Sequence, residues 1–104
     1  VDVYYSSNGF LIQSANLGSG MTRVTKFRVG TSNSLDNGEN SPLQNSGTWV
    51  DNVTDTQANY FYLYDNDGHY SKAIISARGG GVPGTPAWVE LTWWYNSIVD
   101  DPRF

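Results

Sequence analysis

The chain lacks cysteine: none of its 104 residues carries a thiol. This absence excludes disulfide frameworks, thiolate zinc sites and cysteine nucleophiles, so we expect a single domain, residues 1–104, that depends on its hydrophobic core. Histidine is almost as scarce, since His69 is the only one. One histidine excludes a histidine-rich zinc site, and no serine has the glycine pattern of a nucleophile elbow. We therefore expect a protein that is not an enzyme.

Charged residues are also few, at 15 % of the chain, and acidic ones outnumber basic ones. Six Lys and Arg against ten Asp and Glu give a net charge of -4. This is the wrong sign for neutralising phosphates, so a nucleic-acid partner is not expected. No apolar run is long enough to span a membrane. The polar surface must come largely from Asn, Ser and Thr, which is common in secreted and cell-surface β domains, and we expect that location.

The apolar residues follow the two-residue period of strands and not the period of helices. Segments rich in Val, Ile, Thr and aromatic residues alternate with turn signals, and Asn8-Gly9 is the strongest hairpin signal among them. The predicted strands are residues 2–6, 10–15, 21–29, 48–53, 59–64, 69–77 and 87–96. Since no helix is available for parallel crossovers, the sequence predicts an all-β fold. The expected architecture is an antiparallel β-sandwich, jelly-roll or immunoglobulin-like, with about seven short strands.

Residues 30–47 form the longest predicted loop. The segment is rich in Asn and Ser, is broken by Gly and Pro, and shows no sustained alternation. Loops longer than about 12–15 residues are uncommon in compact domains, and they often bind ligands or are disordered. The segment is therefore a candidate binding loop, or a cover over one face of the sandwich.

Three tyrosines at alternate positions, Tyr60, Tyr62 and Tyr64, share one face of a predicted strand and leave the other face to the core. At about 3.3 Å per residue the row is roughly 13 Å long, comparable with two or three stacked sugar rings. The row is either a ligand platform or a structural aromatic ladder, because cross-strand aromatic pairs stabilise sheets without any ligand. Burial beneath the long loop would favour the ladder.

The last predicted strand is the most aromatic part of the chain. Trp88, Glu90 and Trp94 share one face, where the carboxylate indicates solvent. The opposite face, the expected core side, carries Val89, Leu91, Trp93 and Tyr95. Exposed indoles beside a carboxylate suit sugar recognition, because an apolar pyranose face stacks on an aromatic plane while its hydroxyls need directional partners. Structural packing of these indoles is the alternative.

Asp65 and Asp67 lie in a predicted Asp-Asn-Asp-Gly turn that resembles the opening of a calcium loop. The resemblance ends early, since the twelfth position needs a bidentate Glu and is Ser76 here. The pattern is typical of a hairpin turn, with calcium bound by the two carboxylates as the alternative. No other cofactor is expected.

Together these features predict a noncatalytic, secreted carbohydrate-binding domain. Aromatic rings would stack on a glycan or polysaccharide, and Asn and Asp side chains would bind its hydroxyls. The candidate ligand-binding residues are Tyr60, Tyr62, Tyr64, Trp88, Glu90 and Trp94. The composition is similar to that of small β-sandwich lectins and carbohydrate-binding modules. The alternative is a structural or adhesion module whose aromatic residues lie in a core or in the interface of a homo-oligomer.

Overall fold

Two antiparallel sheets make up the fold, which the computed structural model describes at residues 2–6, 10–18, 20–35 and 37–103. The strands are β1 Val3–Ser6, β2 Leu11–Ser14, β3 Lys26–Val29, β4 Asn52–Thr54, β5 Phe61–Tyr64, β6 Tyr70–Gly79 and β7 Trp88–Tyr95. The first sheet has the order β1-β2-β4 and the second the order β3-β5-β6-β7. No α-helix occurs among the described residues. The prediction of an all-β, antiparallel sandwich is confirmed.

The predicted strand 21–29 is shorter than expected, because only Lys26–Val29 pairs with another strand. The segment before it is held by a side chain. Ser14 Oγ accepts a hydrogen bond from the N–H of Thr25 at 2.8 Å. The N–H of Thr25 is therefore bonded to a side-chain hydroxyl instead of to the carbonyl of a neighbouring strand. The backbone at this position does not belong to either sheet.

The predicted strand 48–53 also begins later, at Asn52. Before it, Val50 makes an isolated bridge with Phe27, in which each N–H donates to the carbonyl of the other residue, at 2.8 and 2.6 Å. This bridge links β3 to the segment that leads into β4, so the two sheets are joined along that edge of the sandwich. The turn predicted at Asn8-Gly9 lies outside the described residues.

The hydrophobic core lies between the sheets. Its buried cluster consists of Ile12, Phe27, Val53, Phe61, Leu63 and Ala73. The rings of Phe27 and Phe61 contact each other with centroids 6.1 Å apart. Both phenylalanines are completely buried, and they come from paired strands of the four-stranded sheet. The core is therefore anchored on that sheet.

In the four-stranded sheet, β5, β6 and β7 are neighbours, and β7 lies at the edge. The predicted hairpin turn joins β5 to β6, with the N–H of Asp65 donating to the carbonyl of His69 at 3.0 Å. Gly68 closes the turn at φ +82°, which glycine adopts without strain. β7 pairs with β6 over its whole length, and the register shifts once, at Ser76. Among the described strands, β7 has a neighbour on one side only.

Replacing Phe61 with Ala should lower the free energy of unfolding by about 3–5 kcal/mol, because the change removes a buried ring and leaves a cavity. Urea denaturation followed by tryptophan fluorescence measures the loss. Val82→Ala is the control, since Val82 is 60 % exposed and should change stability by less than about 0.5 kcal/mol. Equal effects of the two substitutions would contradict this location of the core.

Candidate functional site

Tyr60 and Tyr62 are buried. The prediction that they belong to an exposed ligand platform is therefore wrong for these two residues, and the alternative, a structural ladder, applies to them. Their exposed fractions are 0 % and 1 %. The long loop lies over them. The amide of Asn37 donates to the Tyr60 hydroxyl at 3.1 Å, and that hydroxyl donates to Glu39 Oε2 at 2.7 Å. The loop 30–47 therefore covers this face of the sheet, and neither ring is accessible to a sugar.

Lys72 holds the loop from the sheet side. Its side chain is completely buried, and it lies opposite Tyr62 in the pairing of β5 with β6. The ammonium donates to Asn37 Oδ1 at 2.8 Å and to the carbonyl oxygen of Glu39 at 3.1 Å. It also lies 4.3 Å from the centroid of the Tyr60 ring. A buried charge is tolerated only when it is paired, so these contacts fix the loop to the sheet.

Tyr64, the third residue of the row, is half-buried and contacts the C-terminal segment. Its hydroxyl donates to Asp100 Oδ1 at 2.6 Å, and its ring meets that of Tyr70 with centroids 4.8 Å apart. The hydrogen bond to this carboxylate, together with burial, raises the pKa of Tyr64 to about 12. The three tyrosines therefore do not form one accessible row.

Trp88, Glu90 and Trp94 lie on the outer face of β7, and all three are exposed. Ser76 Oγ donates to Glu90 Oε1 at 3.0 Å. The Trp88 indole lies over Gly79, where an added Cβ would meet the ring at 2.7 Å. Six positions separate the two indoles, or about 20 Å along a strand, which is too far for both to stack on one sugar ring.

Trp93 and Tyr95 lie on the inner face of β7 but outside the core. They are 62 % and 49 % exposed, although alternation places them on the expected core side. The three-stranded sheet ends at β1, so no described strand covers these rings. The uncovered surface forms a groove of about 440 Å³ that also contacts Val3 and Leu63. Sequence reasoning missed this groove, because alternation identifies a face and not what lies over it.

Polar side chains complete the groove, namely Asp2, Thr25, Asp65 and Ser71. Asp65 Oδ1 accepts hydrogen bonds from the N–H groups of Asp67 and His69, at 2.9 and 3.0 Å. The carboxylate of Asp2 pairs with the guanidinium of Arg23. The lining of the groove thus combines two exposed aromatic rings with carboxylates and with buried hydroxyl residues.

Tyr95 connects the groove to the only histidine. Its hydroxyl contacts His69 Nδ1, and the two rings meet edge to face with centroids 5.3 Å apart. Burial raises the pKa of Tyr95. Nearby carboxylates raise this pKa further, namely those of Asp65, Asp67 and Asp2. The guanidinium of Arg23 opposes them and lowers this pKa, but three carboxylates against one guanidinium leave a net negative charge at this end of the groove, which disfavours anionic ligands.

Both carboxylates predicted as calcium ligands have partners in the fold. Asp65 binds the N–H groups of its own turn, and Asp67 Oδ2 lies 2.7 Å from Nη2 of Arg23. That hydrogen-bonded guanidinium lowers the pKa of Asp67. Within the described ranges, no group of three or more His, Asp or Glu side chains is arranged to hold a metal ion. These contacts are those of a hairpin turn, and calcium binding stays a prediction.

No known family, characterised protein or solved structure matches this chain. In the part of the chain that the structure describes, no helix has the length and apolar character needed to cross a bilayer. Function must therefore be inferred from the groove and from the two faces of β7.

Glu39→Gln should make the fold less sensitive to acid. The hydroxyl of Tyr60 donates to Glu39 and lowers the pKa of this carboxyl below the ordinary value of 4.5. A carboxyl whose pKa is lower in the folded state stabilises the protein above its unfolded pKa, and this stabilisation is lost as pH falls through the folded pKa. The free energy of unfolding of the wild type should therefore decline below about pH 4.5, and that of the variant should decline less.

Urea denaturation at a series of pH values measures this difference. Glu90→Gln is the matched control, because Glu90 is exposed on the outer face of β7 and its carboxylate is hydrogen-bonded to Ser76 of the neighbouring strand. It should keep the pH dependence of the wild type. If Glu39→Gln also kept it, the contact between Tyr60 and Glu39 would not stabilise the loop.

Proposed function

We propose that this chain is a noncatalytic carbohydrate-binding domain whose ligand lies in the groove beside Trp93 and Tyr95. One observation carries the proposal: two large, exposed rings line a groove that also holds carboxylates and hydroxyls. Contiguous exposed apolar surface is uncommon on soluble proteins, and where it occurs it often marks an interaction site or a ligand-binding groove. At about 440 Å³ the groove falls within the roughly 300–1,000 Å³ that is typical of small-ligand sites.

The arrangement suits a chain of sugars. The rings of Trp93 and Tyr95 have centroids 6.3 Å apart and planes inclined by 48°. A pyranose stacks its apolar face on one ring, and the next sugar contacts the other ring. Asp2, whose side chain is 42 % exposed, offers a carboxylate to the ligand, while Thr25, Ser71 and Asp65 line the groove as buried residues. Since the groove is negative, we expect neutral or amino sugars and not sulfated or uronic ones.

The proposal includes binding without hydrolysis. Glycoside hydrolysis requires two carboxyl groups that flank the scissile bond, one of them a proton donor. In the groove, Asp2 is paired with Arg23, and Asp65 is bonded to the backbone of its own turn. Each of these carboxylates thus already has a partner within the fold. Because glycans of this kind lie outside cells, a secreted or cell-surface location remains our expectation.

A second surface also supports carbohydrate binding, and it is the outer face of β7. Trp88 and Trp94 are 49 % and 41 % exposed there, with Glu90 between them. Residues of β7 alternate between its two faces, so a ligand on this face cannot touch Trp93. The two surfaces are therefore distinguishable by single substitutions.

Trp93→Ala should weaken glycan binding at least about tenfold, which corresponds to about 1.4 kcal/mol, because it removes the stacking surface of the groove. The measurement is a screen of cello-, xylo-, manno- and chito-oligosaccharides, followed by calorimetry with the tightest ligand. Trp94→Ala is the matched control. It removes the same side chain from the adjacent position, on the opposite face of the strand.

The pattern of affinities decides between the surfaces. Loss with Trp93→Ala and wild-type affinity with Trp94→Ala supports the groove. The reverse pattern, extended by Trp88→Ala, would assign the site to the outer face. If no saccharide of the panel binds the wild type, the carbohydrate proposal is wrong.

The same calorimetry in the presence of a chelator tests the calcium prediction. Because Asp67 is paired with Arg23 and Asp65 is engaged in its turn, we expect the affinity to stay unchanged. A fall in affinity that added Ca²⁺ restores, and that Asp67→Asn reproduces, would show a calcium site at the turn instead.

A further inference from the structure

β7 is an unprotected edge strand. Four of its side chains are large aromatics with 41–62 % of their surface exposed, and they lie on both faces of the strand: Trp88, Trp93, Trp94 and Tyr95. Natural edge strands are usually short, or protected by charged residues, proline or a bulge. β7 has eight residues, contains no proline, and carries a single charge, at Glu90. The irregularity at Ser76 lies on β6 and leaves β7 regular.

The free edge presents hydrogen-bonding groups to solvent. The N–H of Asn96 donates to the carbonyl of Tyr70 at 3.0 Å, so Asn96 faces β6. Backbone groups of an antiparallel strand alternate between its two sides. The residues whose N–H and C=O groups point away from β6 are therefore Val89, Leu91, Trp93 and Tyr95. Among the described residues, no strand pairs with them.

We propose that two copies of this chain pair antiparallel through the free edges of β7, with a two-fold axis at Thr92. The two four-stranded sheets then become one continuous eight-stranded sheet. Alternation of the backbone groups allows about eight hydrogen bonds between the copies. Such a pair is closed, because each copy uses the same edge and none remains free for a third copy.

The side chains select this register. A pair centred on Glu90 would place two like charges directly opposite each other, which destabilises a sheet. Centring on Thr92 places Trp93 opposite Leu91 of the second copy and Tyr95 opposite its Val89, so each inner aromatic faces an aliphatic residue. The two Thr92 side chains then lie opposite each other, a favourable cross-strand pair.

The available area fits a reversible dimer. Without the ring faces that line the groove, the strand edges of two copies and the exposed side chains of Trp88 and Trp94 provide somewhat less than about 1,000 Å² in total. Specific interfaces begin near this size, and weak, transient ones occupy the low end of the range. The second copy supplies more complementary surface than an arbitrary peptide, because its own β7 carries the same aromatic and aliphatic residues. We therefore expect a dimer that dissociates on dilution.

The pairing leaves the groove open and is independent of glycan binding. The added strand lies beside β7, in the plane of the sheet, and not over the inner face. A two-fold axis perpendicular to the sheet keeps the inner faces of both copies on the same side. Two grooves then face one surface, so a polymeric ligand contacts both and gains avidity.

Sedimentation velocity over a dilution series tests the pairing. The wild type should shift from monomer to dimer as its concentration rises toward about 0.5 mM, the range of weak interfaces. Thr92→Glu should stay monomeric, because it brings two added carboxylates together at the axis, beside Glu90. Thr56→Glu is the matched control, since Thr56 is an exposed turn residue outside β7, and it should dimerise like the wild type.

A cysteine at the axis tests the register, because the natural chain contains no thiol. Opposed Cα atoms in a non-hydrogen-bonded pair lie about 4.5 Å apart, within the range for a disulfide. Thr92→Cys should therefore form a covalent dimer with oxidised glutathione, and Thr56→Cys should not. Circular dichroism of each variant checks that the fold is retained. A wild type that stays monomeric, a dimer that survives Thr92→Glu, or a Thr92→Cys dimer that does not cross-link would overturn the proposal.

Discussion

The unequal width of the two sheets determines where this molecule is closed and where it is open. Three strands lie against four, and the sheets are joined at β3, where Phe27 and Val50 exchange backbone hydrogen bonds. The sandwich is closed at that edge. The difference of one strand between the sheets therefore leaves the larger sheet uncovered at the opposite edge, beside β1. A sheet face excludes water only where another layer covers it. The inner face of β7 therefore carries exposed rings where the other strands of its sheet carry core residues.

A loop covers part of the outer face of the four-stranded sheet, at Tyr60 and Tyr62 of the β5 region and Lys72 of β6. Loop 30–47 has few apolar residues, and polar contacts of Asn37 and Glu39 with Tyr60 and Lys72 hold it to the sheet. Polar contacts stabilise the loop only if each buried polar group is hydrogen-bonded. The ammonium of Lys72 meets this condition, since it donates to two oxygens and also contacts the ring of Tyr60. The length of the loop is thus explained by the face that it covers.

The proposed groove and the proposed dimer edge belong to one strand but use different parts of it. The groove uses the rings of Trp93 and Tyr95, on the inner face of the strand, where no described strand covers them. The edge uses backbone groups in the plane of the sheet. The two proposals are therefore compatible, and each has its own test. Trp93→Ala removes a stacking ring from the groove, and Thr92→Glu adds carboxylates at the two-fold axis of the dimer. A carbohydrate-binding domain and an aromatic homodimer interface, which the sequence presents as alternatives, can coexist here.

The sequence by itself determined the class of fold and the face on which each strand residue lies. Phe61 is in the core and Trp94 is on the outer face, as alternation predicts, because the direction of a side chain along a strand is a local property of the backbone. Only the tertiary structure decided which faces are covered. Tyr62 is buried and Trp93 is exposed, against the expectations from pattern. Their exposure depends on the path of a distant loop and on the number of strands in the opposite sheet, and both follow from contacts between residues far apart in the chain.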